Sequence, residues 1–182
     1  MDKRSASQKA SKRAIDNAVL GGIGVLLIAF VVTLSFTLEE HAAAEGKKAP
    51  PFSIRTDSGR TITPAHFGGK LLVLNFWATW CPPCVDEVPS LDALQRRFAN
   101  KGVVVLGVSV DDNPNLYREF LAKNRVSFLT ARTGSKGLSA DYGTFKFPET
   151  YLIDQSGVVV KKVMGKEDWN DDRVISYVQS LL

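Results

Sequence analysis

The chain has 182 residues, 45% of them hydrophobic, a formal net charge of +4 at pH 7, and only two cysteines and two histidines. That length allows one ordinary domain plus appendages. Three of the four net positive charges belong to the first 17 residues, where Lys3, Arg4, Lys9, Lys12 and Arg13 face Asp2 and Asp16. The basicity therefore reflects the tail and gives no support to nucleic-acid binding. Met1–Asn17 has nothing apolar with which to build a core and is expected to be a disordered cytoplasmic tail. Ala18–Leu38 follows as 21 residues without a charge, long enough as a helix to cross a hydrocarbon core of about 30 Å. The basic flank places the N-terminus inside and the rest of the chain outside. A cleaved signal peptide is the alternative, because Ala42-Ala43-Ala44 offers small residues to a peptidase; the apolar run is longer than an ordinary signal core, which favours a retained anchor. No cysteine follows the run, which excludes a lipoprotein anchor. Glu39–Lys48 reads as a short tether.

From Ala49 the composition becomes that of a globular α/β unit reaching Leu182. Phe52–Arg55 and Arg60–Thr63 flank Thr56-Asp57-Ser58-Gly59 and predict a β-hairpin. Pro64–Phe67 is a short helix or turn, which makes His66 an exposed or half-buried position. Leu71–Trp77 is an apolar, β-favouring run of the kind buried on both faces. Val85–Asn100 puts Val88, Leu91, Leu94 and Phe98 on one helical face, with Pro89 expected to kink it. Val103–Val110 is a second buried strand, ended by Asp111-Asp112-Asn113-Pro114. That acidic pair reads as a strand-end turn and helix start and needs no metal. Leu116–Asn124 reads as a crossover helix, Ser127–Ala131 as a strand and Gly137–Tyr142 as a short helix. Tyr151–Asp154 and Val158–Val163 are strands around Gln155-Ser156-Gly157. Asp171–Leu182 closes as an amphipathic helix with Val174, Ile175, Val178 and Leu181 inward, and Trp169 is expected to pack near its start.

The stretch Leu71–Pro89, LLVLNFWATWCPPCVDEVP, carries the chemistry. A strand here runs into Cys81-Pro82-Pro83-Cys84 at a helix start. With Cys81 as N-cap, Pro82 takes the first helical position, where a missing N–H costs nothing and φ is already set. Cys81 then lies at the positive end of the helix dipole, which favours thiolate over thiol. Cys84, one turn inside on the same face, can close a disulfide with it. Cys81 is thus the exposed nucleophile and Cys84 the shielded resolving thiol. A zinc site would need four ligands, and neither a second Cys pair nor suitably spaced His41 and His66 supplies them; a purely structural disulfide is the other alternative. Glu87 falls three positions after Cys84, on the same helical face, where a carboxylate can take the proton that the shielded thiol must lose. Asp86 faces elsewhere.

The run NFWATWCPPC, with FPETYLID some sixty residues later, resembles the membrane-anchored TlpA/ResA/CcmG group of thioredoxin-family thiol:disulfide oxidoreductases. The resemblance covers roughly Ala49–Leu182 and implies a thioredoxin-like α/β sandwich with an N-terminal β-hairpin, here preceded by a single transmembrane helix. The βαβ order followed by a hairpin and helix agrees. Asn75 stands where cytosolic thioredoxins usually carry Asp, and the group's Glu at position 87 is credited with the proton role. The resemblance further implies a cis-proline at Pro148 opposite the cysteines, with Phe147 before it pairing with substrate backbone. It also puts Glu149 in the Pro-Glu-Thr of the haem-pathway reductases. Trp80 flanks the nucleophile and shapes the docking surface, whereas Phe76 and Trp77 belong to the core or its edge.

Pro82 and Pro83 remove two N–H groups that could stabilise the Cys81 thiolate, which points to a reductant. The resemblance implies an extracytoplasmic (periplasmic) domain on the bacterial inner membrane, recharged by a polytopic thiol-transfer protein. The expected substrate is a protein disulfide, in particular that of an apocytochrome c haem-attachment site. No cofactor beyond the redox-active Cys81–Cys84 pair and no metal is expected. The rival reading is a general extracytoplasmic disulfide reductase or copper-oxidase assembly factor. A copper-binding chaperone would want Cys-X-X-X-Cys, and a peroxiredoxin-like peroxidase a Pro and Thr before a lone cysteine; Thr79 is present and the Pro is not.

Overall fold

A computed structural model describes residues 20–34, 43–135 and 137–182. The expected basic tail lies outside the described residues, as do both ends of the expected anchor and positions 39–42 of the expected tether. Residues 20–34 form a helix, α1, with apolar exposed side chains such as Leu26, Ile28 and Phe30. Among the described residues no helix is long and apolar enough to cross a membrane. The remaining residues make a separate compact unit that begins at Ala42. Residues 43–48 belong to that unit. Ala43 is buried, Gly46 N–H donates to the Val159 carbonyl at 2.8 Å, and Lys48 bridges Val158 in antiparallel fashion.

The unit is built on five strands, β3 (Leu71–Trp77), β4 (Val103–Ser109), β5 (Leu129–Arg132), β6 (Glu149–Asp154) and β7 (Val159–Met164), in the order β5-β4-β3-β6-β7. The central strand β3 runs parallel to β4 and antiparallel to β6. A separate hairpin, β1 (Ile54–Arg55) with β2 (Thr61–Ile62), is shorter than its apolar pattern suggests. The Thr56 hydroxyl bonds both backbone groups of Arg60 and tightens the turn instead of extending the ladder.

Every residue of β3 and β4 is buried, and alternation divides them between two faces. Leu72, Leu74 and Phe76 face the hairpin with Ile54, Ile62, Phe67, Tyr142 and Tyr151. Leu71 and Val73 face α2 (Pro82–Phe98) and α5 (Asp172–Ser180), among Val88, Leu91, Leu94, Phe98, Ile175 and Val178. By the same alternation Asn75 points toward α2. Helix α2 runs uninterrupted through Pro89, which is exposed. Helix α3 (Pro114–Asn124) begins two residues earlier than the apolar pattern indicates, because Asn113 caps it and Pro114 suits its first position. Strand β5 begins two residues later than expected. The backbone and hydroxyl of Ser127 are both committed to Asp92 on α2, which takes Ser127 out of the ladder. A short helix, α4 (Leu138–Asp141), completes the fold.

Candidate active site

The end of β3 and the start of α2 place the two cysteines as the local sequence demands. Cys81 is the N-cap in extended conformation, Pro82 and Pro83 open the helix, and Cys84 sits one turn in. The two are joined as a disulfide with Cα atoms 5.3 Å apart. In this oxidised form Cys81 is not the exposed group expected of it: it is 5% exposed against 1% for Cys84. The bond ties Cys81 to a residue inside the helix, within a cluster of Trp77, Ala78, Val110 and Tyr117 with Phe147 packed on it. The order of accessibility, Cys81 before Cys84, is as expected.

Glu87 is only 1% exposed, which rules out an ordinary surface glutamate. One carboxylate oxygen, Oε1, accepts from the Trp169 indole Nε1 and from the Glu167 backbone N–H at 3.3 Å. The other, Oε2, faces Asn75 Nδ2 at 3.3 Å, and Asn75 Nδ2 also donates to Thr150 Oγ1 at 2.9 Å. Burial pushes the Glu87 carboxyl up to about 7, against the opposing pull of the Trp169, Glu167 and Asn75 donors. Because Oε1 already takes two N–H groups, the proton of the neutral acid belongs on Oε2. Asp86, next in sequence, is exposed and pairs with Lys166 at 3.1 Å.

Trp80 is 64% exposed, and its ring meets Phe147 edge to face with centroids 6.1 Å apart. The Phe147–Pro148 peptide is cis, and the Pro148 carbonyl accepts from Gly165 N–H at 2.9 Å. Phe147 packs against the cluster that holds the disulfide. Glu149 does not present its side chain for docking: it is buried, its carboxylate 2.7 Å from Lys162 Nζ on β7, so the pairing inside the sheet takes the group proposed for substrate. His66 is exposed in a turn. Among the described residues no three His, Cys, Asp or Glu side chains are grouped to hold a metal ion. Trp169 was expected as core packing, and it is buried, but its polar edge serves Glu87 from 82 residues away. No local pattern could have disclosed that. Asp111 reads in the sequence only as part of a strand-end turn, yet its carboxylate holds Thr79 two residues before Cys81.

The family model Redoxin matches residues 44–180. The chain belongs to the Redoxin family. It is 35% identical over 144 residues to the thioredoxin-like protein YneN of Bacillus subtilis, covering 75% of this chain and 84% of the relative. It is 29% identical over 156 residues to the thiol-disulfide oxidoreductase ResA of Bacillus thuringiensis, covering 83% and 90%. A structure from Chlorobium tepidum, assigned as a thiol:disulfide interchange protein DsbE, superposes with a TM-score of 0.70 at 26% identity, covering 77% of this chain and 99% of that one. Within the Redoxin family this is a ResA- and DsbE-like thiol:disulfide oxidoreductase with the thioredoxin-like α/β fold.

The buried carboxyl has a consequence for stability. Glu87 keeps its proton in the folded protein up to about 7, whereas an unhindered Glu releases it near 4.5. Folding stability from this group is therefore full below about 4.5 and falls as pH rises through about 7, by about 3 kcal/mol in all. Glu87→Gln should remove that slope from urea-unfolding profiles collected between pH 4 and 8. Trp169→Phe, which deletes a donor to the carboxylate, should move the upper end of the slope to higher pH. Profiles parallel to wild type in both variants would show that Glu87 does not hold its proton in the folded state.

Proposed function

We propose that the protein is an extracytoplasmic, membrane-anchored disulfide reductase working through Cys81 and Cys84, with apocytochrome c disulfides as its substrates. The observation that carries the reading is Glu87, a buried carboxyl one turn beyond Cys84 with its titration near neutrality. In the reduced protein the Cys81 thiolate attacks a substrate sulfur, forming a mixed disulfide and releasing one substrate thiolate. Cys84 gives its proton to the Glu87 carboxylate and attacks the Cys81 sulfur. That step closes the Cys81–Cys84 bond and releases the second substrate thiolate. The substrate gains two electrons and the protein loses two, with no cofactor beyond the dithiol. A membrane thiol-transfer protein then restores the dithiol.

The helix start supports the direction of electron flow. The Cys81 side chain accepts no capping hydrogen bond from the helix backbone, and the first two helical positions are prolines. The N–H groups best placed to stabilise a thiolate there are missing, so the reduced form gains less and the couple is more reducing. Trp80 and Phe147, the latter followed by cis-Pro148, form the surface on which a substrate strand would dock. The uncharged run Ala18–Leu38 behind a basic tail supports the anchor and the outward placement of the domain.

Cys84→Ser should accumulate mixed disulfides with its substrate and Cys81→Ser none; equal trapping by both would overturn the division of labour, and the captured partner identifies the substrate. Glu87→Gln should slow resolution of the mixed disulfide by roughly 10–100-fold while Asp86→Asn behaves as wild type. Stopped-flow traces that do not separate the two would remove Glu87 from the mechanism. The reduction potential is expected nearer the thioredoxin value of about −270 mV than the strong oxidant near −120 mV. A reporter fused after Leu182 should be extracytoplasmic and stay with membranes at high salt; release of a processed form starting near Glu45 would mean that the apolar run is a cleaved signal.

A further inference from the structure

Asp111, at the end of β4, is 2% exposed, yet its carboxylate is paired with no cation among the described residues. Its oxygens accept from three neutral donors: Thr79 N–H at 3.0 Å, Thr79 Oγ1 at 2.7 Å and Ser109 Oγ at 2.6 Å. All three donors are neutral, so they hold the carboxylate in place without cancelling its charge. Arg132 addresses the backbone of this segment, its Nη1 donating to the carbonyls of Asp111 at 3.1 Å and Asp112 at 3.4 Å.

Thr79 is the second residue of the turn Ala78–Cys81, which the Cys81 N–H closes onto the Ala78 carbonyl at 3.3 Å. Asp111 thus grips the turn that displays Trp80 and ends in Cys81. Val110, just before it, bonds the Trp77 carbonyl through its N–H at 2.9 Å and packs with both cysteines. The carboxylate is therefore bonded into the turn that ends in Cys81, as Glu87 lies in the helical turn that follows Cys84. A fixed negative charge there opposes the formation of a second one on sulfur, in the same direction as the missing N–H groups of Pro82 and Pro83.

We propose that Asp111 is a positioning residue for Cys81: through Thr79 it fixes the turn that ends in the nucleophile, and its uncancelled charge disfavours the Cys81 thiolate, which keeps the dithiol a stronger reductant. This rests on the reading of Cys81 as the attacking thiol.

The test is the rate of iodoacetamide alkylation of the reduced full chain against pH, with peptide mapping of the cysteine modified first. Asp111→Asn removes the charge, and alkylation at pH 6 should quicken roughly three- to tenfold, a larger thiolate fraction partly offset by lower nucleophilicity. Thr79→Ala and Ser109→Ala each strip one donor from the carboxylate and leave its charge less screened, so alkylation should slow by about two- to threefold. Opposite signs are the signature of charge; mere loosening of the turn would move all three variants the same way. Shifts of one sign, or none, in variants with wild-type near-ultraviolet circular dichroism overturn the proposal. Should Asp111→Asn fail to fold, the two donor variants decide: slower alkylation supports the proposal, and unchanged or faster alkylation overturns it. If mapping finds Cys84 modified first in wild type, the assignment of the nucleophile falls and the proposal with it; Cys81 first with an unshifted Asp111→Asn removes the proposal alone.

Discussion

A carboxylic acid enclosed by the fold is the constraint on which the site depends. Glu87 has lost its water, and three N–H donors from Trp169, Glu167 and Asn75 replace only part of it. Desolvation wins over those donors, so the carboxyl titrates near neutrality instead of near 4.5. A group poised there can hold or release a proton at physiological pH, which an exposed glutamate cannot do. The arrangement also ties three remote segments together. Asn75 comes from the central strand, Glu87 from α2, and Glu167 and Trp169 from the loop between β7 and α5. The ion pair of Lys166 with Asp86 fastens that same loop to the first turns of α2 from outside.

Around this acid, the rest of the site is arranged by subtraction. The helix end that could stabilise a thiolate has two prolines where N–H groups would stand, and the Cys81 side chain accepts no capping hydrogen bond there. The strand end beside it carries Asp111, held by Thr79 and Ser109. The acid that could have served docking, Glu149, is drawn inward by Lys162, leaving aromatic Trp80 and half-buried Phe147 as the groups at the rim. On the proposed reading, each feature weakens anionic sulfur or leaves an apolar contact, as a donor of electrons requires.

The fold supports this geometry through the period-2 division of β3. One face, with Leu72, Leu74 and Phe76, is committed to the hairpin side of the core. The other face, with Leu71 and Val73, packs α2 and α5, and its continuation at Asn75 and Trp77 lies under the proton acceptor and the disulfide. A one-residue slip of β3 would exchange these faces, which is why a strand buried throughout carries the register of the whole site.

Much of this was legible in the amino-acid order because it is local. A cysteine before two prolines at the end of an apolar run dictates a helix N-terminus, and the spacing to Cys84 and Glu87 puts all three on adjoining turns. The apolar period of α2 likewise marked Val88, Leu91, Leu94 and Phe98 as buried. Strand ends were less legible: Ser127 is kept out of β5 by Asp92, 35 residues earlier, and residues 43–48 join the domain through β7. What only the tertiary structure decided was the state of the charges. Glu87 became a near-neutral acid because of Trp169, 82 residues on, and the closed core; Glu149 turned inward because Lys162 lies across the ladder; Asp111 became a clamp because β4 ends beside Thr79. Local sequence determines backbone conformation through sterics and capping within a few residues, whereas the ionisation and aim of a buried acid depend on the solvent it loses and the donors it meets, and those come from chain segments brought together only by folding.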